Sequence, residues 1–287
     1  MQLPTPLLRK NPDAYKNQFG HVLVLAGSQR MLGASALCGL AAMRAGSGLV
    51  TLGVPKGLNT ALQKKISPVL MTRPLPETAQ QTFSASGWRI LKPELAAFSA
   101  VAIGPGMSRN PGTQKFIHAV IKNCPIPLVI DADALNALQG NIKILTATTT
   151  PKILTPHLGE FKRLSGLEAR DSKFGTENKK RKKAALTFAQ KYNCILVLKG
   201  HRTIVAAPDG KIYTNRTGNA GLATAGSGDV LTGMIAAFLA QGLAPFEAAR
   251  WGVKLHGRAG DMAAKKFGKA PLIATDLIDF IAQAFKD

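Results

Sequence analysis

The sequence predicts an α/β fold of three layers around a mostly parallel central sheet. Three observations carry that prediction. Short unbroken Val/Ile/Leu runs recur along the chain, such as HVLVLA at 21–26, LVTLGV at 49–54 and ILVL at 195–198. Runs without polar alternation suit strands covered on both faces. Segments of helical spacing separate the runs, as parallel strands require. The runs also end in Gly-rich or polar turns, and open α/β sheets bind ligands at the carboxyl ends of their strands.

The elements follow in order. Residues 21–26 read as a buried strand, followed by a Gly-containing turn and a helix from about Ala34 to Arg44. The next strand is 49–54. A weak helical stretch at 88–98 precedes a strand at 100–103. A helix over 114–121 leads to the strand 127–130 and an acidic turn at 131–134. Further strands are 152–155 and 195–198, with a helix over 176–192 between them. The pattern then changes once. Residues 203–207 and 211–214, joined by Pro208-Asp209-Gly210, read as a late β-hairpin, because Asp-Gly tolerates the positive φ of a tight turn. Beyond Gly228 the chain reads as helix at 229–239, 245–265 and 275–285. No boundary or repeat interrupts it, so residues 1–287 are read as a single domain.

The chain carries 37 Lys+Arg against 16 Asp+Glu, a net charge of +21. Such an excess fits nucleic acid, a membrane surface or an anionic small molecule. The densest run, Lys179-Lys180-Arg181-Lys182-Lys183, lacks the interleaved aromatic residues of single-strand binders. It reads as the solvated face of a helix whose other face carries Ala184, Ala185, Phe188 and Tyr192. Cys38, Cys124 and Cys194 lie far apart, which argues against a disulfide framework and a zinc site. The first ten residues, with Pro4 and Pro6, lack the apolar core of a secretory signal. The longest mostly apolar stretch, 230–245, falls short of the ~20 residues of a membrane span. The expectation is a cytoplasmic protein with neither a membrane nor a nucleic-acid partner.

The strongest chemical signal is GNAGLATAGSGDVLTG at 218–233, a small-residue loop running into an apolar helix. Gly226, Ser227, Gly228 and Asp229 would present backbone N–H groups at a helix N-terminus, which attracts anions. Asp229 has two readings. It caps the helix, or, its charge stabilised there, it serves as a base toward a hydroxyl that attacks a phosphoryl group. The chain has no G-x-x-x-x-G-K-[ST], so it is not a P-loop protein. No G-x-G-x-x-G follows a strand, which argues against a Rossmann dehydrogenase.

Four more clusters follow predicted strands: Gly27-Ser28 with Gly33-Ala34-Ser35, Gly104-Pro105-Gly106, Asp131 with Asp133 and Asn136, and Thr155-Pro156-His157 with Gly159-Glu160. Together they predict one cleft. His157 is either a structural residue or a hydrogen-bonding ligand contact. Lys199-Gly200-His201-Arg202-Thr203, at the entry to the hairpin, is either a basic turn or a holder of nucleotide phosphate or ribose. No metal ligand set is assigned.

The ordered motifs HVLVLAGSQRMLGAS, IGPG, VIDADALN, LTPHLGEF, LKGHRT and GNAGLATAGSGDVLTG cover nearly the whole chain. They resemble those of the ADP/ATP-dependent NAD(P)H-hydrate dehydratases, the carboxy-terminal half of the bifunctional nicotinamide-nucleotide repair enzymes. That family belongs to the ribokinase-like superfamily, so the resemblance implies a ribokinase-like sandwich. It implies that Ala34, Gly106, His157 and Asp229 contact the hydrated dinucleotide, and that Lys199, Gly200, His201, Arg202, Thr203 and Gly228, with Gly226 and Ser227, hold the adenine nucleotide. Asp229 matches the catalytic base. ADP (or ATP) is the implied co-substrate and Mg²⁺ the implied cofactor, held through water by Asp131, Asp133 or Glu160. A cytoplasmic homotetramer is implied, as is a separate epimerase, since only some twenty residues precede the first strand. Ala220 stands where the family pattern has Pro, which would loosen that loop slightly.

Two other functions compete. One is a small-molecule kinase of the same superfamily acting on a vitamin-precursor alcohol. The other is a non-catalytic polyanion-binding protein, for which charge alone speaks.

Overall fold

Strand β1 (His21–Leu25) shows why the apolar runs lack polar alternation. Val22 and Val24 join one apolar cluster, Leu23 and Leu25 the other, and all four are fully buried. The computed structural model describes residues 3–8, 12–166 and 177–286. Among them the remaining strands are β2 (Leu49–Pro55), β3 (Met71–Leu75), β4 (Ala100–Ile103), β5 (Leu128–Ile130), β6 (Lys152–Leu154), β7 (Ile195–Leu198), β8 (Ile204–Ala206) and β9 (Ile212–Thr214). They form one sheet in the order β3-β2-β1-β4-β5-β6-β7-β8-β9. Pairing is parallel from β3 through to β7. The late hairpin adds β8 and β9 antiparallel.

Ten α-helices cover the sheet among the described residues: α1 (Gly33–Arg44), α2 (Asn59–Gln63), α3 (Gly87–Leu91), α4 (Pro111–Asn123), α5 (Ala132–Ala137), α6 (Leu158–Ser165), α7 (Asn178–Tyr192), α8 (Ser227–Ala240), α9 (Pro245–Phe267) and α10 (Ala274–Ala284). The core cluster holding Val22 and Val24 includes apolar residues of α1, α2, α8, α9 and α10. The cluster holding Leu23 and Leu25 includes residues of α3 to α7. The expected three layers are therefore present.

Helix α8 is buried on nearly every side. Twelve of its 14 residues are buried, as expected of a helix apolar all round. It crosses α1 at close range: a methyl group on Gly233 would stand 2.1 Å from Cys38 O. Cys38, Cys124 and Cys194 are free and buried, and burial pushes the Cys124 thiol up to about 11 and the Cys194 thiol up to about 12.

Several expectations need correction. Strand β3 is absent from the sequence reading. It pairs only with β2, is half-exposed and contains Pro74, which an edge strand tolerates because its outer side needs no ladder donor. The helical stretch at 88–98 is α3 followed by a 3-10 helix, Lys92–Ala97. The acidic turn after β5 opens α5. The helix expected over 176–192 is described as Asn178–Tyr192, and Thr176 lies outside the described residues. The basic run on α7 is not wholly solvated. Lys179, Lys180 and Lys183 are exposed, but Arg181 is only 4% exposed.

Candidate active site

The chain runs outward from β1 through β2 to β3 and then returns to β4 on the other side of β1. That reversal opens a crevice at the carboxyl ends of β1 and β4, the place where open sheets take ligands. Backbone bonds join its two banks: Gly27 N–H donates to Pro105 O at 2.8 Å and Gly104 N–H to Leu25 O at 3.2 Å. Gly106 has φ 62°, and a methyl group on it would lie 3.0 Å from Ala34 Cβ. Ala34 and Gly106, far apart in sequence, therefore meet at this crevice.

The next two strand ends carry charge. Asp131, after β5, is 1% exposed. Lys199 Nζ donates to its Oδ1 at 2.8 Å and Thr232 Oγ1 to its Oδ2 at 2.9 Å. The end of β5, the end of β7 and α8 are thus tied through one carboxylate. Burial opposes the Lys199 charge, but Asp131 and Glu160 outweigh it and raise the pKa of the ammonium. The pair lies against the first turn of α8: a methyl group on Gly228 would stand 3.2 Å from Lys199 Nζ and 3.5 Å from Asp131 Oδ2.

Asp229 sits in that same turn, half-buried. The helix cap is Gly226, in the left-handed region at φ 84°, and Asp229 is the third helical residue. The capping reading of Asp229 therefore fails. Ser227 N–H is not free either, since it reaches Thr224 O at 3.3 Å. The amides of Gly228 and Asp229 have no partner within the helix, as first-turn amides do not. The expected stabilisation of the Asp229 charge is also corrected. Burial, then the like charges of Asp131 and Asp133, push its pKa up to about 7, against the pull of Lys199.

His157 fills the structural one of its two expected roles. Its Nδ1 accepts from Gly159 N–H at 3.0 Å and Glu160 N–H at 3.3 Å, while Glu160 Oε2 accepts from His157 N–H at 2.8 Å. This reciprocal cap starts α6. With Nδ1 accepting, the neutral ring carries its proton on Nε2. Burial raises the Glu160 pKa, and Lys199 partly offsets it.

A cavity of about 720 Å³ opens beside these groups. His157, Lys199, Gly200, His201, Arg202, Thr203, Ser227 and Gly228 all line it, whereas Ala34, Gly106, Gly226 and Asp229 do not. The expected nucleotide turn and half of the helix N-terminus, Ser227 and Gly228, therefore share one cavity, and the expected dinucleotide contacts other than His157 lie outside it. Its far wall was not legible in the sequence. Asn215 Nδ2 donates to Val253 O at 3.0 Å and Asn219 Nδ2 to Gly260 O at 2.9 Å, pinning the 215–222 loop to α9. Asn219 Oδ1 also accepts from Gly221 N–H at 2.9 Å, so the loop is fastened without a proline at Ala220. His256 Nε2 reaches Ser227 O at 3.0 Å, and burial pushes its pKa down to about 4, so the ring is neutral.

The carboxylates expected to hold magnesium are already committed. Asp131 serves Lys199 and Thr232, Glu160 Oε2 serves His157 N–H, and Asp133 accepts from Ser108 N–H at 2.8 Å and Asn136 Nδ2 at 3.2 Å. Among the described residues no group of three His, Cys, Asp or Glu side chains suits a metal ion. The residues do not fit a metal held by the protein alone.

A family model described as NAD(P)H-hydrate dehydratase matches residues 22–283. The chain is 42% identical over 286 residues to the bifunctional NAD(P)H-hydrate repair enzyme of Moorella thermoacetica, covering 100% of this chain and 52% of that one. It spans about half the length of the bifunctional relatives it matches. It is 35% identical to the ADP-dependent (S)-NAD(P)H-hydrate dehydratase of Xanthomonas campestris, covering 93% of this chain and 88% of that one. The crystal structure of the ADP/ATP-dependent NAD(P)H-hydrate dehydratase of Bacillus subtilis, co-crystallised with ATP/Mg²⁺, superposes with a TM-score of 0.77 at 30% identity, covering 96% of this chain and 92% of that one. The ribokinase-like sandwich expected from the sequence stands.

Proposed function

The chain belongs to the NAD(P)H-hydrate dehydratase family, and from that membership we propose that it returns hydrated NAD(P)H to NAD(P)H using an adenine nucleotide as phosphoryl donor. The finer reading is ADP-dependent dehydration of the S epimer, a hydro-lyase reaction that releases AMP and phosphate. The observation that carries it is the half-buried Asp229 carboxyl, with a pKa pushed up to about 7 and the Lys199–Asp131 pair beside it. A base poised near neutral pH accepts a proton without holding it too tightly.

In this reading Ala34 and Gly106 flank the hydrated dinucleotide and His157 donates to it from Nε2. Lys199, Gly200, His201, Arg202 and Thr203, with Gly226, Ser227 and Gly228, hold the adenine nucleotide. Asp229 takes the proton of the ring hydroxyl. The hydroxyl oxygen bonds to the β-phosphorus of ADP as the bond from that phosphorus to the bridging oxygen breaks, releasing AMP. The Lys199 ammonium and the Gly228 and Asp229 amides face the charge that moves. The ring nitrogen then expels phosphate by cleaving the C–O bond. Loss of a proton from the adjacent carbon completes the C=C bond of the dihydronicotinamide.

Magnesium would arrive with the nucleotide and supply neutralisation of phosphate charge there. We further propose that residues 1–287 work as one catalytic domain in a cytoplasmic homotetramer. Gel filtration checks the tetramer. The function itself is tested by adding ADP and Mg²⁺ to hydrated NADH and following absorbance at the NADH band. Recovery of the band with AMP formation is expected. A stable phosphorylated product without NADH would point to a kinase and overturn the reading.

A further inference from the structure

Arg181 is the one member of the basic run that turns inward. It is 4% exposed, on the first turns of α7. Its Nη1 donates to His201 O at 2.7 Å. Nε and Nη2 are buried and, among the described residues, have no hydrogen-bond partner. No carboxylate pairs with this guanidinium among the described residues. A buried cation without a counter-charge is costly. Yet the group stands directly behind the cavity wall: a methyl group on Gly200, which lines that cavity, would lie 3.3 Å from Arg181 Nη2. Gly200 offers no side chain to separate the guanidinium from the wall.

We propose that Arg181 is a positioning residue for the anionic part of the nucleotide, holding the 200–203 turn through His201 O while the bound phosphates serve as its counter-charge across Gly200. The proposal rests on the reading of that turn as the nucleotide site. It gives the inward lysine-run residue a task that a solvated helix face does not need. It also separates the ligand into a charged part that Arg181 senses and a neutral nucleoside part that it does not.

The test is equilibrium binding of ADP and of adenosine to wild type, Arg181→Gln and Arg181→Lys. Glutamine keeps a donor for His201 O and removes the charge. Arg181→Gln is expected to weaken ADP about tenfold and leave adenosine unchanged, with KM for ADP rising and kcat held. Arg181→Lys is expected to stay within about threefold for both. Equal weakening of ADP and adenosine, or no weakening of either, overturns the proposal. Should Arg181→Gln fail to fold, the wild-type Arg Nε ¹H–¹⁵N spectrum decides, with the Arg181 signal identified by its loss in Arg181→Lys. ADP is expected to shift that signal and adenosine to leave it in place; a signal unmoved by ADP overturns the proposal. If wild type itself neither binds ADP nor restores NADH from the hydrate, the proposed function fails instead.

Discussion

The ammonium of Lys199 is bonded to Asp131 Oδ1 at 2.8 Å, although 68 residues separate them. The same carboxylate raises the pKa of Asp229. Asp131 thus acts on both the cation of the site and its proposed base, Asp229. Asp131→Asn keeps an acceptor for Lys199, turns an amide donor toward Thr232 Oγ1 and removes the like charge facing Asp229. Lys199, freed of its counter-charge, then favours the Asp229 anion more strongly. Asp133, the remaining carboxylate, is unchanged. Both effects have one sign. Activity is expected to rise with pH through about 7 in the wild type and at lower pH in the variant. A kcat/KM–pH profile whose acid limb stays in place or moves up refutes this.

Asp229→Asn removes the proposed base. General-base catalysis contributes roughly 10²–10⁴-fold, so kcat is expected to fall by that order while ADP binding persists. Near-wild-type turnover in single-turnover assays would remove Asp229 from the mechanism.

The same substitution has a stability signature. The folded pKa of Asp229 lies above its ordinary value of 3.8, so between about 4 and 7 the folded chain holds a proton that the unfolded chain has lost. Wild-type stability therefore falls as pH rises through that window and is level above it. Asp229→Asn is insensitive to this titration. Its advantage over wild type is expected to grow from pH 4 to 7 and to reach about 1–3 kcal/mol. Denaturant melts at pH 5 and 8 measure the difference, and equal differences at both would contradict the assignment.

His157 can be split into its two tasks. His157→Ala removes the cap of α6 and is expected to cost about 1 kcal/mol of stability. His157→Asn restores a capping acceptor and hence stability. It is not expected to restore affinity for the hydrated dinucleotide, because the Nε2 donor is gone. Urea melts and KM for the hydrate report the two separately.

Gly233→Ala pushes a methyl group onto Cys38 O, which stands 2.1 Å from where it would go. Helices α1 and α8 must separate. A loss of about 1–3 kcal/mol or more is expected, the range of overpacked cores, and thermal unfolding checks it.

Much of the sheet was legible because β1, β4, β5 and β7 are dry on both faces and so declare themselves as apolar runs. β3 was not, because an edge strand with one neighbour needs no such run and can carry Pro74. The turns at the strand ends were legible because their glycines and acids are local signals. The contacts that make a site of them were not. Thr232 and Asp131 are 101 residues apart, His256 and Ser227 are 29 apart, and neither pair leaves a spacing pattern. Arg181 was read as solvated for a similar reason. A run of five cations fixes the character of a helix face but not which of them lies nearest the axis of contact.

One feature of assembly follows from α8. The sheet face made by β1, β2 and β4 is complete early in the chain, but the helix that packs most intimately beside α1 is encoded only at Ser227–Ala240. A nascent chain on the ribosome therefore carries an uncovered oily surface until late in translation. Truncation before Ser227 is expected to yield insoluble product, and newly made chains should lean on holdase chaperones during that interval.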